Sequence, residues 1–246
     1  MDTWEEIQSG HSTIKIYRDE FANPMEESPR EWDNLGTMVC WHRNYNLGDE
    51  HSMLTPQQAL VALAESVIEP YHERVNGWYT HELWEWAAYD NIPNDKESGY
   101  PLDALQKLVD KHFIILPLYL YDHSGITMNT SGFYCPWDSG QVGYIYVSKE
   151  DVRKEWGWKY LTEKRIEKIR QILRTEVEIY DHYLTGMVFG YQVECNMCGN
   201  ELDSCWGFYG DNHEKSGLLD YAKGNECPCV NRVLFRQALK EEGAGL

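Results

Sequence analysis

The sequence predicts an α+β protein, a single domain in which an antiparallel sheet is packed by one long helix, at about 162–185, and by shorter helices. Three observations predict it. Ile166, Ile169, Leu173, Val177, Tyr180 and Leu184 recur at alternating spacings of three and four, the signature of a helix with one buried face. Gln141–Ser148 sets Val142, Tyr144 and Tyr146 against Ile145 and Val147, which is the period of a strand. The 246 residues are 42% hydrophobic and 13% aromatic, enough apolar material for a packed core despite the acidity. No internal repeat or low-complexity linker divides the chain, so one domain over 1–246 is expected.

The elements follow in order. Residues 1–33 read as an acidic, turn-rich extension with one short alternating run, Ser12–Tyr17. Leu35–His42 reads as a strand. Thr55-Pro56-Gln57-Gln58 is a helix start, with Thr as N-cap and Pro at the first helical position, and Pro70 is expected to end that helix. An aromatic-rich stretch, 71–90, reads as core, with a binding face as the alternative, and Asn91–Pro101 reads as loop. Leu102–His112 reads as a short helix through Leu105, Leu108 and Val109. Phe113–Tyr121 is a buried strand, Gly125–Asn129 a short second one, and with Gln141–Ser148 they form an antiparallel meander. Thr162 and Gly186 are placed to cap the long helix. Met187–Val193 and Ser204–Tyr209 read as two strands joined by a short loop. The tail, 211–246, is irregular until a last helix at Val230–Lys240.

Charge narrows the function. The chain carries 40 Asp and Glu against 22 Lys and Arg, a net −18. Residues 1–100 hold 19 acidic and 6 basic residues, a balance of −13. Such a field repels phosphate backbones and attracts basic protein surfaces. Direct nucleic-acid binding is disfavoured, and a basic protein partner or imitation of a polyanion is favoured. Glu26, Glu27, Glu31 and Asp33 are the partner-binding candidates. The basic stretch Arg153–Arg174, mostly on the exposed face of the long helix, reads as solvation. The alternative is that it neutralises the acidic half of this chain or of a second copy. No apolar run is long enough to span a membrane, and the acidic N-terminus predicts no signal peptide.

The seven cysteines are odd in number and irregular in spacing, which favours reduced or metal-bound thiols over disulfides. Cys195-Asn-Met-Cys198-Gly199 resembles a zinc knuckle at a hairpin tip, and a complete site needs a second pair. Cys227-Pro-Cys229 is the obvious source, with Cys205 and His213 in reserve, and one structural zinc is the cofactor expected.

A second group is His42, Asp49, Asp122, His123, Cys135 and Asp138, all near strand ends. Carboxylates and imidazoles there are material for hydrolysis, and His42, Asp122, His123 and Asp138 are the catalytic candidates. Asp122-His-Ser-Gly125 and Trp137-Asp-Ser-Gly140 are also ordinary turn chemistry. No nucleophile elbow, His-Glu-x-x-His or phosphate-cradling glycine loop is present.

Four strings, Leu35–Asp49 (LGTMVCWHRNYNLGD), Leu120–Met128 (LYDHSGITM), Pro136–Tyr144 (PWDSGQVGY) and Leu202–Gly210 (LDSCWGFYG), together resemble a family of uncharacterised proteins of bacteriophages and other mobile elements. The resemblance spans a core at 34–210. It implies no reaction and no catalytic residues. It implies a setting, the host bacterial cytoplasm, in which acidic proteins without catalytic motifs often inhibit host defence. The expected function is therefore an anti-CRISPR or anti-restriction type inhibitor, in its stronger form a DNA mimic, that binds a defence nuclease or other nucleic-acid-handling host enzyme. The alternative is a hydrolase, or a sequestering binder, of a small nucleotide-like molecule.

Overall fold

The computed structural model describes residues 2–19, 28–53, 55–75, 102–224 and 227–230. The α+β class holds: helices accompany two four-stranded antiparallel sheets. Two compact units form, one from Met1–Pro29 with Ile179–Leu246, the other from Arg30–Glu178.

The first unit holds strands β1 (Thr3–Ser9), β2 (Ser12–Arg18), β7 (Val188–Cys195) and β8 (Glu201–Tyr209), in the order β1-β2-β7-β8. Residues 3–18 are thus a hairpin rather than a turn-rich extension, and the alternating run Ser12–Tyr17 falls in β2, which lies inside the sheet. β1 escapes a periodic reading because it is an edge strand, exposed along nearly all its length, and needs no apolar alternation. Ile14 and Ile16 of β2 meet Phe189, Tyr191 and Val193 of β7 in one core. A short helix over Leu218–Ala222 adds Leu218, Leu219 and Ala222 to it. That turn of helix falls where the sequence reading expects irregular tail.

The second unit holds β3 (Thr37–Cys40), β4 (Phe113–Asp122), β5 (Ile126–Asn129) and β6 (Ser139–Ser148), ordered β3-β6-β4-β5. Pro117 sits inside β4, on the stretch that β6 pairs but β5 does not reach, so only one neighbour demands ladder hydrogen bonds there. Helix α1 (Pro56–Val75) starts as expected, Gln58 N–H donating to Thr55 Oγ1 at 3.2 Å. It does not end at Pro70. The preceding turns are already nucleated, so continuing past one missing hydrogen bond needs no fresh nucleus. Helix α2 (Leu102–His112) meets α1 through Leu105 and Val109 against Leu60, Leu63 and Ala64.

Helix α3 (Lys149–Trp156) has no counterpart among the sequence-based expectations, although its signals are in the sequence. Ser148 Oγ accepts from Asp151 N–H at 2.9 Å, and Gly157 ends the helix in the left-handed region. Helix α4 (Glu163–Leu184) matches the long stripe: Ile169, Leu173, Val177 and Tyr180 are buried. Gly186 closes it, with Met187 N–H reaching His182 O at 2.7 Å. The boundary between the units falls within α4. Its basic residues pair along their own face, Arg170 with Glu163 and Arg174 with Glu167, as a solvated face does.

Arg30 organises the second unit. Its side chain is 4% exposed and forks onto Asp49, Nε to Oδ1 at 2.8 Å and Nη2 to Oδ2 at 2.9 Å. Nη1 reaches Glu176 of α4 at 3.2 Å. Glu176 also accepts from the Leu35 amide, and Asp49 from the Met38 amide, both at 2.8 Å. One guanidinium thus joins the chain before β3, the loop after it and the long helix.

Candidate metal centre

The β7–β8 turn carries Cys195 and Cys198. Cys195 N–H donates to Asn200 O at 2.9 Å and Gly199 N–H to Cys195 O at 2.8 Å, which closes the hairpin tightly. Gly199 sits at φ 72°, a conformation that suits a residue without Cβ. Inside this turn the amides of Met197 and then Cys198 point at the Cys195 sulfur, and that of Asn200 at Cys198. The Met197 contact is the largest influence on Cys195, whose thiol is lowered to about 7. Amides aimed at thiolates are what a metal knuckle requires.

The second pair arrives from the far end of the chain. Val230 N–H donates to Cys227 O at 3.0 Å, a single turn that sets Cys227 and Cys229 beside the hairpin. Cys195 Sγ lies 3.4 Å from Cys229 Sγ, and Cys198 Sγ 3.6 Å from Cys227 Sγ. All four ligand atoms lie within 4.8 Å of one another. Four sulfurs at about 2.3 Å from a tetrahedral ion stand about 3.8 Å apart, so the donor set fits a metal. Contact with Cys227 and Cys195 raises the Cys229 thiol, since neighbouring sulfurs resist a second negative charge. Ionising all four calls for a cation among them. The four sulfurs can hold a metal ion. Cys205 is exposed and outside the group. His213 is buried elsewhere in the same unit, 3.5 Å from Glu5 and edge-on to Phe189.

The polar candidates gather at one end of the second sheet. Asp122 N–H donates to Asp138 O at 2.8 Å, which ties the end of β4 to the start of β6. His123 Nδ1 lies 3.5 Å from Asp138 Oδ2, and His42 Nε2 lies 3.9 Å from Asp122 Oδ2. Neither imidazole is within ordinary hydrogen-bond distance of its carboxylate. Cys135 donates its thiol to Asp138 at 3.6 Å, so this sulfur engages a carboxylate and not an imidazole base. Among the described residues, only the four cysteines are grouped closely enough for a metal. Asp49 leaves the group altogether, because it is committed to Arg30. Cys40, on β3, is an inert thiol pushed up to about 12, chiefly by burial.

Of the acidic candidates, Glu31 and Asp33 are exposed on either side of Trp32, itself 51% exposed. Glu26 and Glu27 lie outside the described residues, as do 76–101, with most of the aromatic stretch, and 231–240 of the expected last helix. Two aromatic residues to which the sequence reading gives no site role stand out near the polar group: Tyr134 and Trp137, almost bare to solvent. No helix among the described residues is long and apolar enough to cross a membrane. Comparison with protein-family models, with curated proteins and with solved structures finds no match to this chain.

Proposed function

We propose that this chain is an acidic interaction protein of a bacteriophage. It works in the host cytoplasm as an inhibitor of a bacterial defence system, of the anti-CRISPR or anti-restriction type. Its target is a basic surface on a host protein, a defence nuclease or another nucleic-acid-handling enzyme. The observation that carries this reading is Trp32, half exposed between two exposed carboxylates in a chain of net charge −18. An aromatic anchor inside an acidic rim is the pattern of a protein–protein contact steered by charge. The phage setting comes from the sequence resemblance. DNA mimicry is the stronger form of the same reading.

The test is capture of host proteins on the immobilised full chain at low and high salt. A partner held through charge is retained at low salt and lost at high salt. Reversing Glu31 and Asp33 to Lys, with Trp32→Ala as a separate variant, is expected to slow association with that partner and to flatten its salt dependence. Retention or turnover of a nucleotide by the purified chain, insensitive to all three changes and lost in Asp122→Ala, His123→Ala and Asp138→Ala, would overturn the reading. It would favour the alternative, a hydrolase or sequestering binder of a small nucleotide-like molecule. What supports that alternative is the convergence of His42, Asp122, His123 and Asp138 at one sheet end.

The metal we assign to the four-cysteine centre is zinc, in a structural role. An all-thiolate, four-ligand set suits zinc and leaves no open position for chemistry. Held by Cys195, Cys198, Cys227 and Cys229, the ion would staple the C-terminal segment to the β7–β8 hairpin.

A further inference from the structure

We propose that the loop 130–138 is a docking site for an arginine-bearing segment of a basic protein, with Trp137 and Tyr134 as anchors and Asp122 and Asp138 as the anionic rim. Tyr134 is 108% and Trp137 91% exposed, relative to a fully open side chain. Large aromatics normally bury most of their area, and two left bare within four residues mark a contact surface.

The loop that presents them is tied at both ends. At its start Asn129 Oδ1 accepts from the amides of Ser131 at 3.0 Å and Gly132 at 2.7 Å. Phe133 turns inward and packs on Tyr121, ring centroids 5.7 Å apart. At its end Ser139 Oγ donates to Cys135 O, and Asp138 O takes the Asp122 amide. Tyr134 and Trp137 therefore project from a loop whose ends and whose Phe133 are anchored to the sheet. Anchors so presented lose little freedom on binding, which favours affinity.

The occupant follows from charge. Asp138 adjoins Trp137 in sequence, and Asp122 is bonded to Asp138 through the backbone. A bare indole next in sequence to a carboxylate, one that His123 approaches to 3.5 Å and Cys135 to 3.6 Å, is suited to a guanidinium, which can stack on a ring and donate to carboxylate oxygens. The chain's net −18 draws such a group in. The proposal rests on the reading of a basic partner and gives that partner a contact distinct from Glu31, Trp32 and Asp33.

The test uses the full chain labelled with nitrogen-15 and titrated with the peptide acetyl-Gly-Arg-Gly-Arg-Gly-amide. The Trp137 indole signal is identified by its loss in Trp137→Phe. It is expected to shift saturably, and more than with the lysine peptide at equal ionic strength. Binding, followed at the amides of 126–139, is expected to weaken about threefold to fivefold in Trp137→Ala, the size of one exposed cation–π contact. The pair Asp122→Asn and Asp138→Asn should weaken it comparably. A Trp137 signal that stays in place, or that responds equally to lysine, overturns the proposal. So does a concentration-dependent dimer in sedimentation that Trp137→Ala abolishes, because the occupant is then a second copy. Shifts confined to the amides of Glu31–Asp33 would remove this docking site and leave the acidic-partner reading standing. Shifts at neither place would remove both.

Discussion

Arg30 and Asp49 form a two-pronged ion pair, with N–O distances of 2.8 and 2.9 Å, around a guanidinium that is 4% exposed. Nineteen residues separate them in sequence. Glu176 closes the third side of the guanidinium. Asp49→Ala is expected to destabilise the protein by about 3–5 kcal/mol, because it leaves a buried cation half-paired. Urea unfolding of the two proteins measures this. A variant that unfolds with the parent would show that solvent, not Asp49, compensates Arg30.

The second expectation concerns the stripe of α4. Leu173 is fully buried, and a Cβ built at Gly36 would come 2.6 Å from its Cδ2 and 2.8 Å from Ile145 Cγ1. Helix and sheet thus approach as closely as a bare glycine allows. Leu173→Ala is expected to cost about 2–5 kcal/mol, and Leu173→Asp more, because it adds an unpaired buried charge. Gly36→Val should destabilise by overpacking the same spot. Thermal melts of the three variants check the assignment, and a Leu173→Asp protein that melts like its parent would refute it.

Metal content is the third. Protein purified without added metal is expected to contain about one zinc per chain, as a closed four-ligand site implies. A strong chelator should lower the melting temperature and make four more thiols reactive, since metal binding and folding are linked. Cys198→Ser should reproduce that loss, while Cys205→Ser, outside the group, should not. Metal-free protein that melts at the same temperature would remove the zinc assignment.

The fourth expectation is a pH dependence. Burial holds the His213 imidazole below its ordinary 6.5, with Glu5 and Asp211 opposing the shift. Well above that value the ring is neutral in both folded and unfolded chains. As pH falls through about 6.5, the unfolded chain takes up a proton that the folded chain resists, so stability declines until the folded pKa is passed. Melting temperature should therefore drop on acidification from neutral pH. In His213→Gln the decline should be shallower than in the parent. Identical slopes would show that other groups govern the acid limb.

The sequence by itself determined the α+β class, the span of the long helix and the Cys195–Cys198 knuckle. The reason is locality: a buried face writes its period into the chain, and a knuckle writes its spacing. The stripe Ile166–Leu184 and the turn Cys195–Gly199 are both of this kind. α3 was also written locally, in Ser148, Asp151 and Gly157, and was missed because its one buried residue, Val152, leaves no stripe. Edge strand β1 was not written, because exposure along nearly all its length leaves no apolar alternation to read. Tertiary structure alone decided that Asp49 serves Arg30 while Asp122 and Asp138 stay at the sheet end. It alone brought Cys229 to 3.4 Å from Cys195 across 34 residues, and left Trp137 bare while Trp206 covers Gly190. These outcomes depend on which distant segments meet, and no periodicity within a segment records its partner. The bond energies are local, but the choice of partner is made by the packing of the whole unit.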